Sequence, residues 1–239
     1  MKIVDREEAV DLASYAGKEI TLLLKEFKEF PILLLLSGGS SMKILPHIKL
    51  STKGSRMTIS MLDERWSKDP TENNFSQLME TSFYKNSTRL GCQYIDTRVG
   101  IEKTVEEAGE IYNGSLYRWI KDNPDGKIIA NVGMGSDGHI AGIMPFPDNP
   151  EYFEKAFNDD KIFAIGYNTK GKSQFLYRFS VTLSFMKNHF DATVSLIIGK
   201  EKELMLQKAL SGQGKLSEVP AGIFRTLPRF SLFTNSSLL

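Results

Sequence analysis

The sequence predicts an α/β fold built on a mostly parallel sheet with helices on both faces. Three observations carry this expectation. Short aliphatic runs alternate with stretches of helical period along most of the chain, the pattern of strand–helix–strand crossovers. The runs Ile32–Leu36 and Lys127–Val132 are dominated by aliphatic residues, as in strands buried on both sides. Each leads into a glycine turn, S-G-G-S-S after the first and G-M-G-S-D-G after the second. No linker, low-complexity block or repeat interrupts the chain, so one domain over residues 1–239 is the expected organisation.

Taken in order, the first helix is expected from Arg6 to Glu29. There Ala9, Leu12, Ala13, Ala16, Ile20, Leu23, Leu24 and Phe27 recur at spacings of three and four, and Pro31 ends the run. Ile32–Leu36 is a central strand, and after S-G-G-S-S a short helix is expected over Met42–Ile48. Such a strand–turn–helix offers free N–H groups and a positive dipole end to an anion. Equally, the turn has a plain structural reading in which Ser40 or Ser41 is an N-cap. Arg56–Leu62 alternates as a second strand and runs into Asp63-Glu64-Arg65-Trp66. A helix follows near Phe75–Phe83, then a short strand at Gln93–Ile95. Val105–Ile120 is a helix with Ile111, Leu116 and Trp119 facing inward, ended by D-N-P-D-G. Beyond Lys127–Val132, strands are expected at Ile162–Ile165 and Thr193–Ile198, and helices at Val181–His189 and Lys200–Leu210. The tail S-L-F-T-N-S-S-L-L is either a last edge strand or loose.

Composition excludes several classes of partner. With 30 basic and 29 acidic residues, no field of one sign points to nucleic acid or an anionic membrane. The single cysteine, Cys92, rules out an internal disulfide framework and fits a reducing compartment. The N-terminus M-K-I-V-D-R-E-E lacks the apolar core of a signal peptide. Ile32–Leu36, the longest purely aliphatic run, is far too short to span a bilayer. The expectation is a cytoplasmic protein with a small-molecule partner, no nucleic acid and no membrane; nothing in the sequence signals an oligomeric state.

Chemistry concentrates in Lys127–Pro145. Gly133-Met134-Gly135-Ser136-Asp137-Gly138 matches G-x-G-x-x-G letter for letter, but a dinucleotide loop needs a long helix after the third glycine and an acid closing the next strand. Pro145 leaves room for barely two turns, and the strand at 162–165 leads into Gly166-Tyr167-Asn168 without an acid. No G-x-S-x-G elbow occurs, and the S-x-x-K matches at Ser40–Lys43 and Ser184–Lys187 lack their companion motifs. Asp137 and His139 have no further metal ligands beside them in sequence, where a divalent ion needs three or four. What is left is acid–base chemistry without metal or cofactor, on an anionic substrate held by Arg, Lys and helix N-termini. Of the three histidines, His47 and His189 lie in helical contexts, whereas His139 follows glycines and an aspartate in a loop. An imidazole titrating near neutrality suits general-base work there; the plain alternative is a structural histidine.

Taken together, S-G-G-S at Ser37–Ser40, D-E-R at Asp63–Arg65, the N-N-F that follows, G-M-G-S-D-G-H-I-A at Gly133–Ala141, Arg178 before V-T-L, and G-K-E-K at Gly199–Lys202 occur in a telling order. In this order the sequence resembles the 6-phosphogluconolactonases, and more distantly the glucosamine-6-phosphate deaminases. The resemblance spans nearly the whole chain and implies a single Rossmann-like, doubly wound domain with a phosphosugar bound over the strand ends. Deaminases show D-E-Y and G-H-I-A-F-N-E-P; here Arg65 stands at the tyrosine position and Met144 at the glutamate position. A methionine cannot pass a proton, so the lactonase branch fits better, while Asp63 belongs to both branches. The chain departs from the family at Met42, Asn73 and Gly222, which bear on fine specificity and activity level.

The resemblance implies hydrolysis of 6-phospho-D-glucono-1,5-lactone to 6-phosphogluconate. His139 would be the base, with Asp137 orienting it. Ser37, Gly38, Gly39, Ser40, Asp63, Arg65, Gly135, Arg178 and Lys202 would hold the substrate and its phosphate. Backbone N–H groups of either glycine loop are candidate donors to the developing oxyanion. The alternatives are a sugar-phosphate isomerase or deaminase and a non-catalytic sugar-phosphate binder.

Overall fold

Ile32–Leu36 forms an interior strand of a parallel sheet in the computed structural model, which describes residues 1–5, 9–50, 54–99 and 102–236. The strands are β1 (Lys2–Asp5), β2 (Ile32–Leu36), β3 (Met57–Met61), β4 (Asp63–Arg65), β5 (Gln93–Tyr94), β6 (Lys127–Asn131), β7 (Ala164–Asn168), β8 (Tyr177–Val181), β9 (Ala192–Ile197) and β10 (Phe230–Thr234). Seven of them make the main sheet in the order β1-β10-β9-β6-β2-β3-β5, and every pairing in it is parallel.

Both faces of that sheet are covered. All five residues of β2 are buried: Leu33 and Leu35 join one apolar cluster, while Ile32, Leu34 and Leu36 join another on the opposite face. A fully buried leucine stabilises by about 2 kcal/mol, so this one strand anchors both layers. One layer contains α1 (Ala9–Glu26) and the 3-10 segment Gly39–His47, and the other contains α4 (Val105–Asp122). Helix α4 begins with a capping box, in which Thr104 accepts from Glu107 N while Glu107 reaches back to Thr104 N. It packs very closely on β7: a Cβ on Gly109 would strike Gly166 N, and a Cβ on Gly166 would strike Val105 O.

Several elements differ from the sequence expectation. The first helix ends at Glu26, and its expected start at Arg6 lies outside the described residues. The helix expected over Phe75–Phe83 is two, α2 (Asn74–Glu80) and α3 (Ser82–Arg89), because Thr81 is extended and caps the second by accepting from Tyr84 N. The expected strand at Ile162–Ile165 is β7, two residues further on. It belongs to a second, antiparallel sheet of order β4-β8-β7. Asp63–Arg65 is therefore a strand in its own right rather than a charged end of β3. Leu62 joins the two sheets, donating to Leu36 O at 2.8 Å and accepting from Val181 N at 2.9 Å. Of the tail, the part in β10 lies between β1 and β9 rather than at the edge, which β1 takes, while residues 237–239 lie outside the described residues. Periodicity also passed over β1, β8 and the helix α5 (Pro150–Phe157). The remaining helices, α6 (Leu183–His189) and α7 (Glu203–Ser211), fall where expected, α7 after a 3-10 turn at Lys200–Lys202. Among the described residues no helix is long and apolar enough to cross a membrane.

Candidate active site

Strands β2 and β6 are neighbours, with Leu36 paired to Asn131. From β2 the sheet grows outward through β3 in one direction; from β6 it grows through β9 in the other. The crevice beyond the carboxyl ends of two such strands is where open α/β sheets bind ligands. Both glycine turns leave from it and are tied together: Ser37 N donates to Asn131 O at 3.1 Å, and Gly133 N donates to Ser37 Oγ at 2.9 Å.

The first turn enters the 3-10 segment with extended Gly38 at the cap position and no side-chain cap. This corrects the N-cap reading of Ser40 and Ser41. The Ser40 hydroxyl lies 3.4 Å from Lys202 Nζ, and Ser41 is buried against Gly133. A first helical turn leaves its leading N–H groups without partners inside the helix, so this turn keeps donors to offer.

The second turn closes on itself. Gly135 N donates to His139 O at 2.9 Å and Gly138 N to Gly135 O at 3.1 Å, with Gly138 at φ 83°. With Gly133 N already committed to Ser37, the three glycine amides of this loop have partners inside the protein, as Ser37 N does in the first turn. Asp137 Oδ1 accepts from His139 N at 3.1 Å and lies 2.5 Å from Nδ1. Burial works against ionisation of Asp137, but its hydrogen bonds to His139 and the charge there outweigh burial and hold the carboxyl below its ordinary value. An ionised Asp137 only accepts, so Nδ1 carries the proton and Nε2 is the free nitrogen. Gly135 is required by this pair, since a Cβ there would fall on the imidazole. No helix follows Gly138; Met134, Ile140 and Ile143 form isolated bridges and Ala141 takes φ 48°. The G-x-G-x-x-G match has no dinucleotide geometry behind it.

The second sheet supplies two of the cations. Arg65 on β4 and Arg178 on β8 are directly opposite one another. Arg178 Nη2 is 3.8 Å from Asp63 Oδ2, both side chains being almost wholly buried. Arg178 Nε and Nη1 and Arg65 Nε have no hydrogen-bond partner among the described residues. Burial, then the charge of Arg178, pull the Arg65 pKa down. Asn74 holds Asp63 from behind, its amide donating to Asp63 O at 3.0 Å and to Oδ2 at 3.4 Å. Between the two, Glu64 is fully buried and accepts from Arg65 N, Asn74 N, Phe75 N and the Thr97 hydroxyl. It thereby binds β4 to the start of α2. Across the cleft, burial lowers the Lys202 pKa, and Lys43 adds to this.

These groups line one cleft of about 170 Å³: Ser37–Ser41, Asp63, Arg65, Asn74, Gly133–Gly135, His139, Ala141, Arg178 and Lys202. Every expected site residue is in that wall except Asp137, which stands behind His139. A larger cleft of about 700 Å³ runs between β5 and α4, but no histidine or lysine lines it; the convergence of acid–base and cationic groups favours the smaller one. Sequence reasoning left out Asn74 and Ser41 as site residues, although the N-N-F string contains the first. Of the departures, Asn73 donates to Arg65 O and Ser67 O at 3.0 Å each, Met42 packs on the α1-side core, and Gly222 sits near Leu216. None of the three lines the cleft. Among the described residues no three His, Cys, Asp or Glu side chains group as a metal site would require.

Comparison with known proteins bears on this arrangement. A family model described as glucosamine-6-phosphate isomerases/6-phosphogluconolactonase matches residues 6–229. A probable 6-phosphogluconolactonase from Dictyostelium discoideum is 24% identical over 190 residues, 78% of this chain and 76% of that protein. Among solved structures, a 6-phosphogluconolactonase from Thermotoga maritima superposes with TM-score 0.75 at 22% identity, covering 98% of each chain. One from Shewanella baltica gives TM-score 0.78 at 16% identity, over 98% of this chain and 96% of that one.

Proposed function

Because the chain belongs to the family of glucosamine-6-phosphate isomerases and 6-phosphogluconolactonases, we propose that it is a lactonase. It hydrolyses 6-phospho-D-glucono-1,5-lactone to 6-phosphogluconate in the pentose phosphate route. The observation that carries the reading is the meeting, in one cleft, of His139 backed by Asp137 with Arg65, Arg178 and Lys202. The first pair suits a reaction needing one proton taken and returned; the three cations suit a phosphate.

In the proposed reaction, His139 Nε2 takes a proton from water as the water oxygen bonds to the lactone carbonyl carbon. Asp137 stabilises the imidazolium so formed. N–H groups of the Ser37–Ser41 turn receive the negative charge that develops on the carbonyl oxygen. The tetrahedral centre then collapses, the bond to the ring oxygen breaks, and the imidazolium returns the proton to that oxygen. Arginine forks and the Lys202 ammonium bind the distant phosphate. Met144 speaks against a deaminase: it is 1% exposed in the apolar core and does not line the cleft, so the position offers no proton relay. Low cysteine content and balanced charge support a cytoplasmic setting.

The test is a coupled assay on freshly generated lactone. Wild-type protein should exceed the spontaneous rate, and His139→Ala should lose about 10²-fold or more of that gain while still binding 6-phosphogluconate. A wild-type rate in the variant would remove His139 from the mechanism, and ammonia release from glucosamine 6-phosphate would place the chain in the other branch.

A further inference from the structure

Two guanidiniums placed directly opposite each other across β4 and β8 repel, and the only carboxylate forming an ion pair with either among the described residues is Asp63, on Arg178. Something else must hold the pair in place. Phe175 does so geometrically: Arg65 Cζ lies 4.3 Å from the centre of its ring and Arg178 Cζ lies 5.8 Å from it. Both are within the range in which an aromatic face attracts a cation.

The ring is a fixed platform. It belongs to the connection between β7 and β8, which is closed by Thr169 N donating to Leu176 O at 2.7 Å and Lys172 N to Thr169 O at 3.1 Å. Phe175 N donates to Ser173 Oγ at 3.2 Å, and the Thr169 hydroxyl to Phe175 O at 3.2 Å. Lys172 pins the connection to the rest of the protein through Asp148 at 2.7 Å. Phe175 does not line the cleft, so it acts on a ligand through the arginines alone.

We propose that Phe175 is a positioning residue that sets the two arginines for a phosphate, its ring face offsetting their mutual repulsion in the empty and the loaded cleft. This rests on the reading of Arg65 and Arg178 as phosphate ligands. It deepens that reading by making affinity for the phosphorylated sugar depend on an aromatic group outside the contact shell.

The test compares Phe175→Leu, which keeps an apolar side chain and loses the ring face, with Phe175→Tyr, which keeps both. Binding of 6-phosphogluconate is followed by calorimetry, and hydrolysis is measured on the phosphorylated and the unphosphorylated lactone. Phe175→Leu should weaken 6-phosphogluconate binding and raise KM by about three- to tenfold, with kcat, thermal midpoint and the rate on unphosphorylated lactone held. Phe175→Tyr should restore affinity. Wild-type affinity in Phe175→Leu alongside a loss in Arg65→Ala would overturn the role of the ring. Equal losses in Leu and Tyr would do so too, by assigning the effect to loop packing. If wild type and Arg65→Ala bind 6-phosphogluconate alike, the phosphate reading itself falls, and the proposal with it.

Discussion

His139 Nδ1 lies 2.5 Å from Asp137 Oδ1, and the same oxygen accepts from His139 N at 3.1 Å. Residues two apart in a chain make such a pair only when the backbone between them turns sharply, which Gly138 at φ 83° allows. The imidazole is thus oriented by its own loop. Asp137→Asn should keep the turn but lose the charge that supports the imidazolium. Expected is a fall in kcat of about 10²-fold with KM and 6-phosphogluconate affinity nearly unchanged, read from steady-state kinetics and calorimetry. A matching loss in affinity would mean that Asp137 shapes the cleft rather than the base.

Gly135→Ala tests the same pair from the other side. The added methyl would fall on the imidazole and near Asp137 Oδ1, so the histidine must leave its position. Activity should drop nearly as far as in His139→Ala, while the thermal midpoint moves little, because the partly exposed imidazole can swing aside without disturbing the core. Retained activity would show that the ring has room to move and still function.

Arg65 and Arg178 should part company when each is replaced by alanine. Arg65 is half-buried and stacked on Phe175, so its loss should raise KM and leave folding intact. Removing Arg178 leaves Asp63, 3% exposed, without its cation, a loss of about 3 kcal/mol or more in stability on top of the affinity effect. Chemical denaturation of both variants distinguishes them; equal stability would mean that Asn74 alone suffices to satisfy Asp63.

Glu64 makes stability depend on pH. Burial pushes its carboxyl from 4.5 up to about 7, against the hydrogen bonds from Thr97, Phe75 and Asn74 that favour the charged form. With the folded pKa raised, the native protein keeps a proton that the unfolded chain has released, so the contribution is full below the unfolded value and is lost as pH rises through about 7. The loss amounts to ~3 kcal/mol. Glu64→Gln removes the titration, so its stability deficit relative to wild type should shrink by that amount between about pH 5 and about pH 8. A constant deficit would show that the four donors keep Glu64 ionised throughout.

The chain's own order of residues determined the central layer of the fold and the pairing of Asp137 with His139. Ile32–Leu36 and Lys127–Val132 read as buried strands because their burial on both faces is written as mostly apolar runs, and the turns after them carry Ser37–Ser40, Asp137 and His139 within a few residues. What tertiary structure alone decided is how the cations meet. Strand β8, which carries Arg178, passes into the core with a mixed string, Y-R-F-S-V, and its partner β4 is only three residues long; neither has a period that stands out without the other strand beside it. The opposition of Arg65 to Arg178, the Phe175 ring over Arg65, and the Thr97 hydroxyl on Glu64 are contacts between segments tens to more than a hundred residues apart. Local pattern encodes which face of an element is apolar. Which element lies against that face is set by the packing of the whole, and the paired arginines of the cleft exist only there.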